Sequence, residues 1–235
     1  MRRVLLTRPL IDAYPLAKML ERKGIQSYLY PLFQPRFLPL LPIEDVQALI
    51  ITSKNALRAI ENHNTFKEFP LYAIGDETAQ LAKNMGFLHV FNASGTSEDL
   101  IELILNRARP NEGIFWHLSG KIIHENIVEI LQAQGFEAER RIVYYMEEVD
   151  TLPLSLQTYL KNQDISHVIF FSPHTVTLFV KVLKKYTLEK STCHMRALCL
   201  SKNVALKAST LQWKEKWISL KPTAQSLMEY FDEKC

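Results

Sequence analysis

Short apolar runs rich in β-branched and aromatic residues alternate with amphipathic stretches along the whole chain. The runs are VLLT at Val4, QSYLYP at Gln26, ALIIT at Ala48, LYAI at Leu71, LHVF at Leu88, IFWHL at Ile114, RIVYY at Arg141, HVIFF at His167, ALCL at Ala197 and WISL at Trp217. Their length and regular spacing predict about ten strands, and the amphipathic stretches between them predict helices, which together make a parallel α/β architecture. Three amphipathic runs end on a glycine just before a strand, at Gly24, Gly86 and Gly135. That is the C′ position, where a left-handed backbone closes a helix. Helix starts are equally legible. Thr96 and Asp99 have capping-box spacing, and Ser172 followed by Pro173 reads as an N-cap with proline at N1. Capping is also the ordinary explanation for Ser53, Thr96 and Ser172, and it stands beside any ligand role for them.

Two stretches break the alternation. Arg140–Asp150 (RRIVYYMEEVD) reads as a strand running out into an acidic connection instead of a helix. Pro31–Pro42 carries prolines at 31, 35, 39 and 42, which forbid a helix and favour an extended path. The pair predicts a chain that leaves one domain and later returns to it.

An internal repeat underlies the pattern. ITSKNAL at Ile51 resembles FFSPHTV at Phe170, AIGDETAQLA at Ala73 resembles CLSKNVALKA at Cys199, and SGTSEDL at Ser94 resembles KPTAQSL at Lys221. Gly24 and Gly135 relate the opening unit to the one starting near Ile114. Two such halves of about five strands each fit two flavodoxin-like domains facing one another, with ligands bound beyond the carboxyl ends of the strands. Those ends carry Thr7 and Arg8, Thr52 and Ser53, Gly75, Ser119, Ser172 and Ser201. They offer small hydroxyls and backbone amides but no nucleophile with its base, no metal cluster and no carboxylate pair. Chemistry here must lean on positioning.

Composition narrows the classes. The 235 residues are 47% hydrophobic and 23% charged, as in ordinary globular proteins, and the formal net charge of +3 is too weak to argue for nucleic acid. Three cysteines without CxxC spacing indicate neither a disulfide framework nor a zinc site. The apolar run at the N-terminus is too short for a signal-peptide core, and no stretch approaches the roughly 20 apolar residues of a membrane span. A cytoplasmic protein is the expectation. The seven glycines contain neither GxGxxG nor GxxxxGK[ST], which disfavours nucleotide and nicotinamide enzymes.

Five segments resemble, in order, the motifs of the uroporphyrinogen-III synthases: VLLTRP at Val4, ALIITSKNAL at Ala48, YAIGDETAQLAKNMGF at Tyr72, IVYYMEE at Ile142 and VIFFSP at Val168. The resemblance covers nearly the whole chain. It implies an α/β fold of two flavodoxin-like parallel-sheet domains joined by a two-segment linker, with the active-site cleft between them. Residues 1–36 with 150–235 would form one domain and 37–149 the other, the latter including the linker 140–149. It implies a lyase of haem biosynthesis that needs no cofactor or metal and converts hydroxymethylbilane, a linear tetrapyrrole with eight carboxylates, to uroporphyrinogen III. The terminal hydroxyl leaves, the azafulvene is attacked through a substituted pyrrole carbon, and the resulting spiro intermediate reopens and recloses with the terminal ring inverted. Spontaneous closure gives isomer I, so the enzyme controls orientation.

Tyr144 matches the tyrosine of the family's VY motif, implying that it assists departure of the hydroxyl. An ordinary phenol, with a pKa of about 10, is protonated at neutral pH and can donate. Tyr145 faces the other way by strand alternation and is its control; core packing is the structural alternative for Tyr144. Thr78 matches a family threonine beside the Gly75 loop. It joins Ser53, Ser119, Thr96, Ser172 and Thr223 as candidates for binding substrate carboxylates, with Arg8, Lys54 and Arg140 as candidate positive charges. The segment that commonly reads IGPTTA in the family is LSKNVA here, so Ser201 and Lys202 stand where the glycine and proline would, and Lys202 offers charge where a hydroxyl is lost. The partner is then a linear tetrapyrrole and the chain a monomer, with no nucleic acid or membrane and with transient contact to the preceding pathway enzyme left open. Two other readings stand beside this one: a non-catalytic two-domain cleft protein binding an anionic small molecule or tetrapyrrole, and an enzyme of different chemistry on the same architecture.

Overall fold

The structure is a computed structural model and describes residues 3–40, 45–93, 95–123 and 125–233. Contacts divide the chain into two units, Met1–Gln34 with Glu147–Cys235, and Pro35–Met146. The chain opens with β1 (Arg3–Leu6), α1 (Leu10–Arg22) and β2 (Gln26–Leu29), then β3 (Phe33–Phe37). The middle carries β4 (Val46–Ile51), α2 (Lys54–Ala59), β5 (Leu71–Ile74), α3 (Asp76–Asn84), β6 (Val90–Ala93), α4 (Ser97–Arg107), β7 (Ile114–Gly120) and α5 (Ile127–Ala133). A long strand, β8 (Ala138–Glu148), follows. The last part holds α6 (Leu154–Lys161), β9 (Ile165–Phe170), α7 (Pro173–Lys185), β10 (Arg196–Cys199), α8 (Lys202–Ala208), β11 (Glu215–Ile218) and α9 (Ala224–Glu233).

In the first unit the sheet order is β11-β10-β9-β1-β2 with every neighbouring pair parallel. Renumbered along that unit, this is the flavodoxin-like order 2-1-3-4-5. The central strand β9 is buried at every position, as a parallel strand covered on both faces must be. One face packs Leu5, Val168, Phe170 and Phe179 with the helices α6 to α8; the other packs Val4, Leu6, Ile169 and Leu198 against α1 and α9.

The second unit has the order β3-β8-β7-β4-β5-β6. Its four pairings from β8 to β6 are parallel, and β3 makes the sheet mixed. The strands β8 and β7, which occupy the places of β2 and β1, come last in this unit instead of first. The two units are therefore the same topology circularly permuted. The repeat in the sequence follows from this: Ser53 and Ser172 each cap the helix after the central strand, and Gly24 and Gly135 precede β2 and β8, which hold equivalent places in the two sheets. Ser94, in the third repeated pair, lies outside the described residues.

Each of the ten predicted runs overlaps a strand. The eleventh, β3, arises within the proline-rich stretch. Pro35 sits on it, tolerated because an edge strand needs no donor on its outer side. Pro42 lies outside the described residues.

Helix α1 shows how the helices stop. Gly24 has φ +72°, its N–H donates to Glu21 O at 2.8 Å, and the Ile25 N–H donates to Leu20 O at 3.0 Å. This is a Schellman closure, which needs a left-handed residue and favours glycine. The same pair of bonds recurs after α3 and α5.

Candidate active site

In an open α/β sheet the chain order reverses beside one strand, and the crevice beyond the carboxyl ends of the flanking pair is the natural binding place. In the second unit that pair is β4 and β7. A cavity of about 290 Å³ opens there, lined by Thr52 and Ser53 after β4, His117 and Gly120 on β7, Ser97 at the start of α4 and Tyr144 on β8, with isoleucines making the apolar wall.

Tyr144 reaches this place through an irregularity. Ser119 pairs with Ile142, but Gly120 pairs with Tyr144, so the register slips by one residue and Val143 is left over. Such a bulge puts two consecutive residues on one face and re-aims a side chain. Val143 is buried in the cluster of Leu49, Ile51 and Leu118, and Tyr144 packs at the rim of that same cluster. The Tyr144 hydroxyl donates to Ser53 Oγ at 3.0 Å. Ser53 Oγ also accepts the Asn55 N–H at 3.2 Å as the cap of α2. It therefore accepts two hydrogen bonds, which leaves its own proton to be donated at the cavity.

His117 is 1% exposed, with Nε2 3.5 Å from Thr52 Oγ1 and no partner for Nδ1 among the described residues. Burial, and then the charge of Arg140, push its pKa down to about 4, so it is a neutral imidazole at physiological pH. Arg140 donates from Nε to Ser119 Oγ at 2.8 Å and from one terminal nitrogen to the carbonyls of Gly120 and Lys121 at 2.6 and 2.8 Å.

Of the residues singled out in the sequence, Ser53 and Tyr144 meet directly and Ser119 is bound to Arg140 nearby. Gly75, with φ +83°, opens α3, and Thr78 is buried within that helix. Thr96 forms the full capping box with Asp99 at the start of α4. Thr7, Arg8, Ser172, Ser201, Lys202 and Thr223 belong to the other unit. There the Thr7 hydroxyl donates to Ile169 O at 2.9 Å, and Arg8 lies over the Phe171 ring and 3.7 Å from Asp12. Ser172 and Ser201 cap α7 and α8, the exposed Lys202 opens α8, and Thr223 Oγ1 accepts the Ser226 N–H at 3.2 Å. Lys54 is paired with Glu77 at 2.6 Å. No group of three or more metal-ligating side chains occurs among the described residues. Sequence reasoning missed His117; its only signal was a polar residue inside the apolar run IFWHL. It also missed the bulge that turns Tyr144, which leaves no trace in side-chain alternation.

No curated protein sequence matches the chain. Solved structures that share its fold include the following two. A uroporphyrinogen-III synthetase from Helicobacter pylori 26695 aligns with a TM-score of 0.61 at 20% identity over 99% of both chains. A mutant uroporphyrinogen III synthase from the extremely thermophilic bacterium Thermus thermophilus aligns with a TM-score of 0.53 at 17% identity, over 99% of this chain and 98% of that one. The family model described as uroporphyrinogen-III synthase HemD matches residues 15–229. That match takes in both permuted units and every strand from β2 to β11, and on it this chain belongs to the uroporphyrinogen-III synthase family, lyases that cyclise hydroxymethylbilane.

Proposed function

We propose that this chain converts hydroxymethylbilane to uroporphyrinogen III, with Tyr144 and Ser53 serving the departure of the terminal hydroxyl. Family membership over residues 15–229 carries the reading of the reaction. The hydrogen bond from Tyr144 to Ser53 at the cavity supports the assignment of roles. As the C–O bond breaks, the leaving oxygen needs a proton and departs as water. Ser53 can supply a hydrogen bond from its remaining proton, and Tyr144 behind it can refill Ser53 or donate directly. The hydroxyls of Thr52 and Ser97, and the backbone at the start of α4, can hold carboxylate arms. His117 contributes no charge while neutral. Retention of the azafulvene in an orientation that favours attack through the substituted carbon selects isomer III.

The chain acts on this reading as a cytoplasmic monomer; no helix among the described residues is long and apolar enough to cross a membrane. The test generates hydroxymethylbilane in situ, adds the protein, oxidises the products and separates the porphyrin isomers. Mainly type III is expected. Type I alone, formed at the spontaneous rate by folded protein, would reject the synthase reading in favour of a tetrapyrrole binder.

A further inference from the structure

Six of the seven glycines have a positive φ, which by itself accounts for the residue type. Gly120 does not. Something other than backbone conformation must make glycine necessary there. A Cβ built on Gly120 would lie 2.6 Å from Tyr144 Cζ, 2.8 Å from its hydroxyl oxygen and 3.0 Å from Cε2. These are the atoms that define where the phenol sits, and no carbon can approach them so closely without displacing the ring. The hydroxyl end of the ring therefore occupies the space a side chain would take on the last residue of β7.

That backbone is itself held. Arg140 is two strand positions before Ile142 on the neighbouring β8, and its guanidinium takes the Ser119 hydroxyl and the carbonyls of both Gly120 and Lys121. The strand pair is tied once more beyond the glycine, where the Lys121 N–H donates to Tyr144 O at 2.9 Å. The planar guanidinium holds the Ser119 hydroxyl through Nε and two successive carbonyls through one terminal nitrogen, a fixed spacing of donors that a single flexible ammonium does not reproduce. The bulge then places Tyr144 opposite Gly120, and the phenol meets Ser53.

We infer that Gly120, clasped by Arg140, is the seat of the Tyr144 phenol, and that both act as positioning residues for the proton donor. This rests on the proposed role of Tyr144. It assigns Arg140 a function different from neutralising substrate carboxylates, since its hydrogen bonds run to the Ser119 hydroxyl and to the carbonyls of Gly120 and Lys121.

The experiment is a double-mutant cycle with an independent structural readout. Turnover is measured for Gly120→Ala, Tyr144→Phe and the double variant, and the Tyr144 ring carbon is followed by NMR in tyrosine-labelled protein, its signal identified by its loss in Tyr144→Phe. Gly120→Ala is expected to lower kcat on the order of tenfold to a hundredfold, to leave KM within about twofold and to move the Tyr144 signal. In the Tyr144→Phe background the same change should cost less than about twofold, because its effect passes through the phenol. Arg140→Lys and Arg140→Gln serve where Gly120→Ala does not fold. Both should lower kcat without raising KM, with no rescue by lysine. An equal loss in both backgrounds, an unmoved Tyr144 signal, or a KM effect of Arg140→Gln rescued by lysine would overturn the inference. Should the unaltered protein yield only type I, the reaction reading falls by that result alone. The Tyr144 signal then still decides whether Gly120 seats the phenol.

Discussion

Tyr144 and His117 line one cavity and face opposite demands. The phenol donates its hydrogen bond to Ser53, which has a proton left to give. Tyr144→Phe removes that donor while keeping the ring on Gly120, so turnover should fall about 10²-fold with little change in fold stability, measured by initial rates and thermal unfolding. The imidazole is held neutral by burial, and this has a stability consequence. Its folded pKa of about 4 lies below the ordinary 6.5, so the unfolded chain binds the proton more tightly. The contribution is fully present above pH 6.5 and is lost as pH falls toward 4, with an upper size of about 3 kcal/mol. Chemical denaturation across that window should show stability declining with acid in the natural protein and a flatter profile in His117→Phe. An unchanged profile would mean that His117 does not titrate as its burial requires.

Elements show where physical rules act locally and where they do not. The helix ends were legible because one residue type answers one backbone need: Gly24 at φ +72° closes α1 with two backbone bonds, and replacing it by alanine should cost about 1 kcal/mol in equilibrium unfolding. The capping box at Thr96 and the proline after Ser172 were legible for the same reason, since each motif satisfies N–H groups a few residues away. Strand β3 was legible only as an extended path, because its pairing with β8 depends on residues far along the chain. The bulge at Val143 was hidden altogether. A run such as IVYYMEE has no alternation strict enough to reveal a skipped residue, and the slip falls opposite Ser119 and Gly120 on β7. For the same reason the glycine at 120 read as one of several. Its need comes from the ring of Tyr144, far along the chain, not from its own turn.

At the scale of the molecule, each unit carries two apolar clusters of its own, one on each face of its sheet. The middle unit is continuous in sequence. Residues 35–146 expressed alone should therefore unfold cooperatively, followed by circular dichroism; a gradual, non-cooperative loss of signal would show that this unit does not fold on its own. The permuted repeat was visible in the sequence because Ser53 and Ser172, or Gly24 and Gly135, do the same job in the two units. The strand order that joins them to one topology was not, since it is decided by which apolar faces pack together. The site followed the topology. The strand-end hydroxyls were readable as a set, but only the register slip in β8 and the cavity beyond β4 and β7 bring Tyr144 to Ser53.

The proposed direction of ring closure by this chain, with Tyr144 serving the step, is open to test in the products. The most direct measurement compares the ratio of type III to type I porphyrin from hydroxymethylbilane for the natural protein, Tyr144→Phe and Tyr145→Phe. Predominantly type III is expected from the natural protein and from Tyr145→Phe, with the share of type III sharply lowered in Tyr144→Phe as spontaneous closure overtakes it. Undiminished type III from Tyr144→Phe would contradict the role of the phenol, and type I from all three folded proteins would contradict the reaction itself.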